Sequence, residues 1–204
     1  MTNSAASASA PGPRRSEPDV RRQSLIHATT RVLAREGAAG TSVRMIAREA
    51  QVSPGLITHY FTGIDALIAA AYADIDATVT AAMDGALAAA GTDPRARLDA
   101  FVTASFAPPI ADRALLATWI AFWSLVTAHT DIARQHDDQY AAFRARLTDL
   151  LADCGVAPAR LRLAAIALAA LVDGLWLELC LSPGCFSGEE ASRIARDQID
   201  SLIS

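Results

Sequence analysis

Two groups of residues in this 204-residue chain have the types and spacing to do chemistry. The first is the run from Ser53 to Phe61. Serine followed by proline signals a helix start, with a hydroxyl at the cap and a ring pre-set for the first helical position. A short helix from about Pro54 to Tyr60 would turn Thr58, His59 and Tyr60 outward, with Ser53 and Gly55 at its start. Hydroxyls, an imidazole and the amides of a helix N-terminus suit phosphate oxygens, and Gly55 lets a backbone approach closely. The second group is aromatic. Trp119, Phe122 and Trp123 stand at i, i+3 and i+4 on one helix face, and Asp173 and Trp176 share another. Aromatic faces attract an organic cation through their quadrupoles, and a nearby carboxylate adds Coulomb attraction. The same residues also fit a plainer role. An aromatic triplet packs as core, and a lone acid in an apolar helix needs a partner, on a neighbouring helix or as Arg160 or Arg162 of a second copy.

Other chemistry finds no support. His129 and His136, with Asp131, Asp137 and Asp138, invite a metal, but a helix break near Thr130 would scatter them, so they read as a polar junction. No serine, cysteine or paired-carboxylate arrangement suggests catalysis, and no cofactor is implied; the chain does not read as an enzyme. Cys154, Cys180 and Cys185 are odd in number without metal spacing, and no signal-like segment opens the chain. They read as reduced core thiols of a cytoplasmic protein. No uncharged apolar window reaches ~18 residues, so no membrane span is expected. The longest such run, Leu163 to Val172, is closed by Asp173.

The elements that must position these groups all read as helix. Residues 1 to 18 form an Ala/Ser/Pro tail that cannot build a core and is expected to be disordered. A helix from Asp19 to Glu36 would bury Leu25, Thr29, Val32 and Leu33 and stop at Gly37. Thr41 or Ser42 caps a second helix, Gln51-Val52 makes a turn, and the Ser53 helix follows. Val43, Ile46, Ala50, Val52, Leu56 and Phe61 would fix the angle between the two, in the helix-turn-helix form that suits a major groove. Six longer helices follow, over about 65–90, 94–107, 112–128, 131–153, 158–181 and 188–203. The expected fold is therefore all-α. A three-helix DNA-binding domain (19–64) precedes a six-helix ligand-binding and dimerisation domain (65–204). The helix over 160–181 is apolar nearly all round and needs cover, which the last helix and a twofold copy would give as a four-helix bundle.

The net charge of −4 argues against nucleic acid, but its distribution does not. Residues 1–62 hold eight arginines against four acids, and the remainder holds ten against eighteen. A basic front on an acidic body suits a chain of which one end faces phosphate. Arg14 and Arg15 read either as a solvated tail or as an arm for the minor groove.

The run Thr41-Ser42-Val43, Ile46-Ala47, Ala50, Val52-Ser53, Gly55 and His59-Tyr60-Phe61 resembles the head of the TetR family of bacterial repressors. That resemblance implies that Ser42, Arg44, Ser53, Gly55, Thr58, His59 and Tyr60 touch DNA. One departure stands out. The family usually has a lysine three residues after the phenylalanine, where this chain has Ile64. The loss of a phosphate contact would lower affinity unless Arg14, Arg15, Arg21 or Arg22 compensates. Trp119-x-x-Phe122-Trp123 and Leu171-Val172-Asp173-Gly174-Leu175-Trp176 are similar to blocks of the family's BetI-like, choline-responsive branch. The resemblance implies a homodimeric repressor of a palindromic operator in double-stranded DNA, modulated by a small-molecule effector. For a quaternary ammonium effector such as choline, Trp119, Phe122, Trp123, Asp173 and Trp176 would form the site. Two alternatives stay open: a regulator answering an apolar or acyl ligand, and a helical small-molecule-binding protein or enzyme with a vestigial head.

Overall fold

The spacing of Leu25, Ile26, Thr29, Val32 and Leu33 gives the first helix a single apolar stripe, and those side chains are buried. The structure, a computed structural model, describes residues 17–204. Most of the N-terminal tail, including Arg14 and Arg15, lies outside the described residues. Among the described residues there are nine α-helices, one 3-10 turn and no strand. The helices are α1 (Glu17–Gly40), α2 (Val43–Glu49), α3 (Pro54–Tyr60), α4 (Ile64–Ala89) and α5 (Pro94–Thr103). They continue as α6 (Arg113–Val126), α7 (Thr130–Asp153), α8 (Pro158–Leu181) and α9 (Gly188–Ile203).

Most boundaries follow local signals. Gly37, at φ 67°, breaks the α1 helix where a side chain would be strained, and only a short last turn continues to Gly40. Ser42 is the cap of α2, its Oγ accepting from the Met45 N–H, while Thr41 donates to the Gly37 carbonyl. Asp93 and Asp112 cap α5 and α6 in the same way. Ser187 and Glu190 form the capping box of α9. One cap differs from expectation. Ser53 stands at the N-cap of α3 but its hydroxyl makes no capping bond, which leaves that oxygen available at the surface.

The head is built from α1, α2 and α3 around Ile46, Ala47, Ile57 and Phe61, with Val43, Ala50 and Val52 packed against them. The sequence places Leu56 inside, but Ile57 takes that position, fully buried. From a start at Pro54, Ile57 and Phe61 are spaced i, i+4 on the inner face, and Leu56 is rotated away. Glu49 of α2 accepts from Arg31 Nε at 2.7 Å and Arg35 Nη1 at 3.2 Å, pinning α2 to α1 and holding its carboxyl below the usual range.

Behind the head, α1 packs lengthwise on α6 and α4, α7 on α8, and α8 on α9. Thr118 of α6 is fully buried and donates to the Ala114 carbonyl at 2.7 Å and toward the Thr30 carbonyl of α1 at 3.4 Å. Two helices, α4 and α8, are long and apolar enough to cross a bilayer by length and composition. No uncharged run marks them in the sequence, because Asp74, Asp76 and Asp84 interrupt α4, and Asp173 and Glu178 interrupt α8. Much of the apolar surface of α4 is spent inside the bundle, on Leu67, Ile68, Tyr72, Ile75, Val79 and Met83. In α8 it is not: Leu163 is 65% exposed and Leu181 64%, with Ile166, Leu177 and α9's Ile194 also exposed. The cysteines meet the core reading in part, since Cys154 and Cys180 pack against the core and Cys185 does not. Cys185 is exposed in the α8–α9 connection, and Cys154 and Cys180 are half-buried.

Candidate functional site

The first candidate site is the outer face of α2 and α3. Arg44, Arg48, Ser53, Gly55, Thr58 and His59 are exposed, and Ser42 and Tyr60 are half-buried. Two of these hydroxyls are already engaged: Ser42 caps α2, and Thr58 Oγ1 donates to the Gly55 carbonyl at 2.9 Å. The His59 ring meets Tyr60 edge-on at 5.1 Å, which aligns the end of α3. Of the seven head residues singled out from sequence, five are exposed, Ser42 is half-buried at the α2 cap, and Tyr60 is half-buried against the core. The arginine surplus of the head divides by position. Arg31 and Arg35 are tied to Glu49, whereas Arg21, Arg22, Arg44 and Arg48 are exposed.

Ile64 is the first residue of α4 and packs against the core, so it cannot serve as a phosphate donor. A cation nevertheless stands close by. The Arg22 guanidinium lies over the Phe61 ring, 5.0 Å from its centroid, three residues before Ile64. Stacking on the ring holds a charge beside the end of α3 that the sequence motif does not reveal.

The second candidate site is a cavity of about 410 Å³ between α4, α5, α6, α7 and α8. That volume lies within the range of small-molecule sites. Aromatic rings from four helices wall it: Phe101, Trp119, Tyr140 and Phe143, and Trp176. Trp119 and Trp176 meet edge-on with centroids 5.8 Å apart, and Trp176 Nε1 donates to the Ser105 carbonyl at 2.7 Å. Tyr72 of α4 is fully buried behind them, its ring 5.3 Å from Trp119 and 4.7 Å from Phe122.

Charge enters this wall at Asp76, Asp84, Asp173 and Arg146. Arg146 Nη2 pairs with Asp84 at 2.6 Å, at a half-exposed position. Asp173 accepts from Tyr140 Oη at 2.9 Å, and no cation lies within ion-pair distance of it among the described residues. Burial pushes its carboxyl up to about 6, while the Tyr140 hydrogen bond and the Arg144 charge pull the other way. Burial raises Asp76 too, opposed by a hydrogen bond from Gln139. Two polar atoms of the wall are buried without partners: Gln139 Oε1 and Trp119 Nε1. The Trp119 N–H is turned toward Tyr140 without reaching hydrogen-bond geometry.

The aromatic residues expected to share a ligand are divided by the fold. Trp119, Asp173 and Trp176 line the main cavity. Trp123 faces an open recess on the other side of Tyr140 and Asp173, together with His136. Phe122 is fully buried against Tyr72 and lines neither space. Asp173 finds a partner on the neighbouring helix α7, in the Tyr140 hydroxyl. His136 is half-buried rather than solvated. It contacts Tyr72 Oη at 3.1 Å, and burial lowers its pKa. No group of potential metal ligands is present among the described residues. The sequence reading missed Asp76, Gln139 and Tyr140. A signal for Asp76 exists: with Tyr72, Val79 and Met83 it keeps helical i, i+4, i+7, i+11 spacing on the buried side of α4.

Comparison with known proteins bears on both sites. Residues 25–71 match the family of bacterial regulatory proteins described as the tetR family, and residues 94–204 match a family described as BetI-type transcriptional repressor, C-terminal. The HTH-type transcriptional regulator BetI of Burkholderia thailandensis is 37% identical over 188 residues, covering 91% of this chain and 95% of the relative. Its counterpart in Burkholderia ambifaria is 34% identical over 194 residues, with the same shares. Among solved structures, one described as a transcriptional regulator from Pseudomonas aeruginosa PAO1 superposes with a TM-score of 0.84 at 42% identity, covering 93% of each chain. A regulator from Saccharomonospora viridis, solved in complex with choline, superposes with a TM-score of 0.77 at 22% identity, covering 89% of this chain and 96% of that one. At that identity it speaks for the fold alone.

Proposed function

The chain belongs to the TetR family of bacterial transcriptional regulators, and from that premise we propose that it is a homodimeric repressor whose operator grip is released by a small organic cation. The observation that carries this reading is the joining of the two candidate sites by shared helices. The chain leaves the DNA-facing α3 directly into α4, whose Tyr72 touches Trp119, and α6 carries Trp119 on the cavity and Thr118 against α1. A ligand that reshapes the wall at Trp119 therefore bears on both helices that hold the head. It favours whichever head separation lets the wall close on it, and DNA is released by a shift of population.

In this reading Ser42, Arg44, Ser53, Gly55, Thr58, His59 and Tyr60 face one operator half-site. Two heads would sit about one DNA turn apart, roughly 34 Å, on a palindrome. The exposed strip of Leu163, Ile166, Leu177 and Leu181, with Ile194, is the face covered by the second copy. Trp119, Trp176, Tyr140 and Asp173 receive the cation, with Trp123 behind them and Phe122 as support for the wall. Two part-buried carboxylates and the unpartnered Gln139 Oε1 favour a cation over an apolar or acyl ligand, since a fatty chain would leave these acceptors unsatisfied. Enrichment from random double-stranded oligonucleotides is expected to yield a palindrome, and light scattering to give a dimer. A monomer, or enrichment with no twofold sequence, would overturn the reading.

Arg22 takes the place of the missing lysine in this scheme. Arg22→Ala is expected to weaken operator binding about tenfold and to lower the slope of log affinity against log salt by about one, as measured by anisotropy between roughly 50 and 200 mM salt. A structural role for Arg22 would lower affinity without moving that slope.

A further inference from the structure

We propose that the cavity recognises a ligand with two positive centres, one held at Asp173 among the aromatic walls and a second, N–H-bearing ammonium held by Asp76 and Gln139. This rests on the reading of the cavity as the site of a cationic effector and deepens it. Three observations carry it. First, the wall carries more negative charge than one cation answers. Arg146 is answered by Asp84, which leaves Asp76 and Asp173, on different helices, with no cation in ion-pair distance among the described residues.

Second, the two carboxylates sit in different chemistry. Asp173 lies beside Tyr140 and near Trp176, where aromatic faces accept a methylated or a bare ammonium. Asp76 lies beside Gln139, whose amide opposes the rise of its pKa and whose Oε1 is buried without a donor. The carboxylate and the free carbonyl oxygen offer two acceptors side by side. A primary ammonium can answer both with N–H bonds, whereas a trimethylammonium group has none to give. Third, Asp76 and Gln139 also border an open recess with Asp131, Arg134 and Asp138, in which Arg134 pairs with Asp131 at 3.4 Å, so three acids face one cation where the second centre meets solvent.

Isothermal titration of the full-length dimer near pH 8 tests the assignment with choline, 1,5-diaminopentane and its bis-trimethylammonium analogue. Alkyl ammonium groups are charged there. The diamine is expected to bind about tenfold tighter than choline, the size of effect that one further part-buried charge pair gives. The bis-trimethylammonium compound should bind more weakly than the diamine. Asp76→Asn should cost the diamine about tenfold and choline less than threefold, and Gln139→Leu, which serves if the first variant does not fold, should show the same bias. Choline binding as tightly as the diamine, or variants that weaken both alike, would overturn the two-centre assignment while leaving the cationic effector standing. Failure of all three compounds to bind would overturn both.

Discussion

Gly55→Glu is expected to abolish operator binding, by on the order of a hundredfold or more, while leaving the fold intact. The variant separates recognition from stability because the free protein has room for it. Gly55 is exposed, its backbone is not in the left-handed region, and an added Cβ would meet only Ser53 Oγ, at 4.0 Å. An acid in the first turn of α3 even complements the helix dipole. On DNA the same carboxylate would be pressed against phosphate, and such like-charge contacts cost several kcal/mol. The measurement is operator affinity beside circular dichroism and a melting curve. A loss below about threefold in a folded protein would remove α3 as the reading element, and with it the role given to Thr58, His59 and Tyr60.

Asp173→Asn is expected to do two opposite things: to raise the melting temperature and to remove the response to cations. With its carboxyl near 6 rather than the ordinary 3.8, Asp173 favours the protonated form when folded. A tenfold change in a protonation equilibrium is worth about 1.4 kcal/mol, so the ionised side chain costs the folded state up to about 3 kcal/mol at neutral pH. Asparagine keeps an oxygen for Tyr140 and carries no charge to bury. At this chain length a gain of that size corresponds to a melting temperature up to roughly 9 °C higher. The sign with pH follows. The folded pKa lies above the unfolded one, so the cost is absent below about 4, grows as pH rises toward 6 and is complete above it. The advantage of the variant should therefore be present at pH 7 and vanish near pH 4. Bound cation needs the carboxylate, so choline affinity in the native protein should rise with pH through about 6 and then level. His136, Arg144 and Tyr140 stand around the same group, and burial lowers the pKa of His136. A choline-induced thermal shift that survives in the variant would remove Asp173 from the site.

These expectations draw differently on sequence and on tertiary structure. Local chemistry alone determined the run of helices, because caps such as Ser42, Asp93 and Ser187 and the glycines at 37, 91 and 155 act within a turn of their own position. It determined less of the inner and outer sides of the seven-residue α3, where Ile57 and not Leu56 is buried and Tyr60 packs half-buried against the core. The family was legible because its motif is contiguous. What distant segments bring together was not legible. Trp119, Phe122 and Trp123 look equivalent on one helix, yet α4 covers Phe122 with Tyr72, α8 brings Trp176 to Trp119, and α7 sets Tyr140 between the main cavity and Trp123. Arg22 gains its place beside the end of α3 only because α1 packs over Phe61. Asp76 looks like a surface acid until α7 brings Gln139 to it. Helical periodicity states which side of a helix is inside; it does not say which neighbour arrives there. That is decided by packing among α4, α6, α7 and α8, which made a cavity with unanswered charge from residues that sequence alone reads as core.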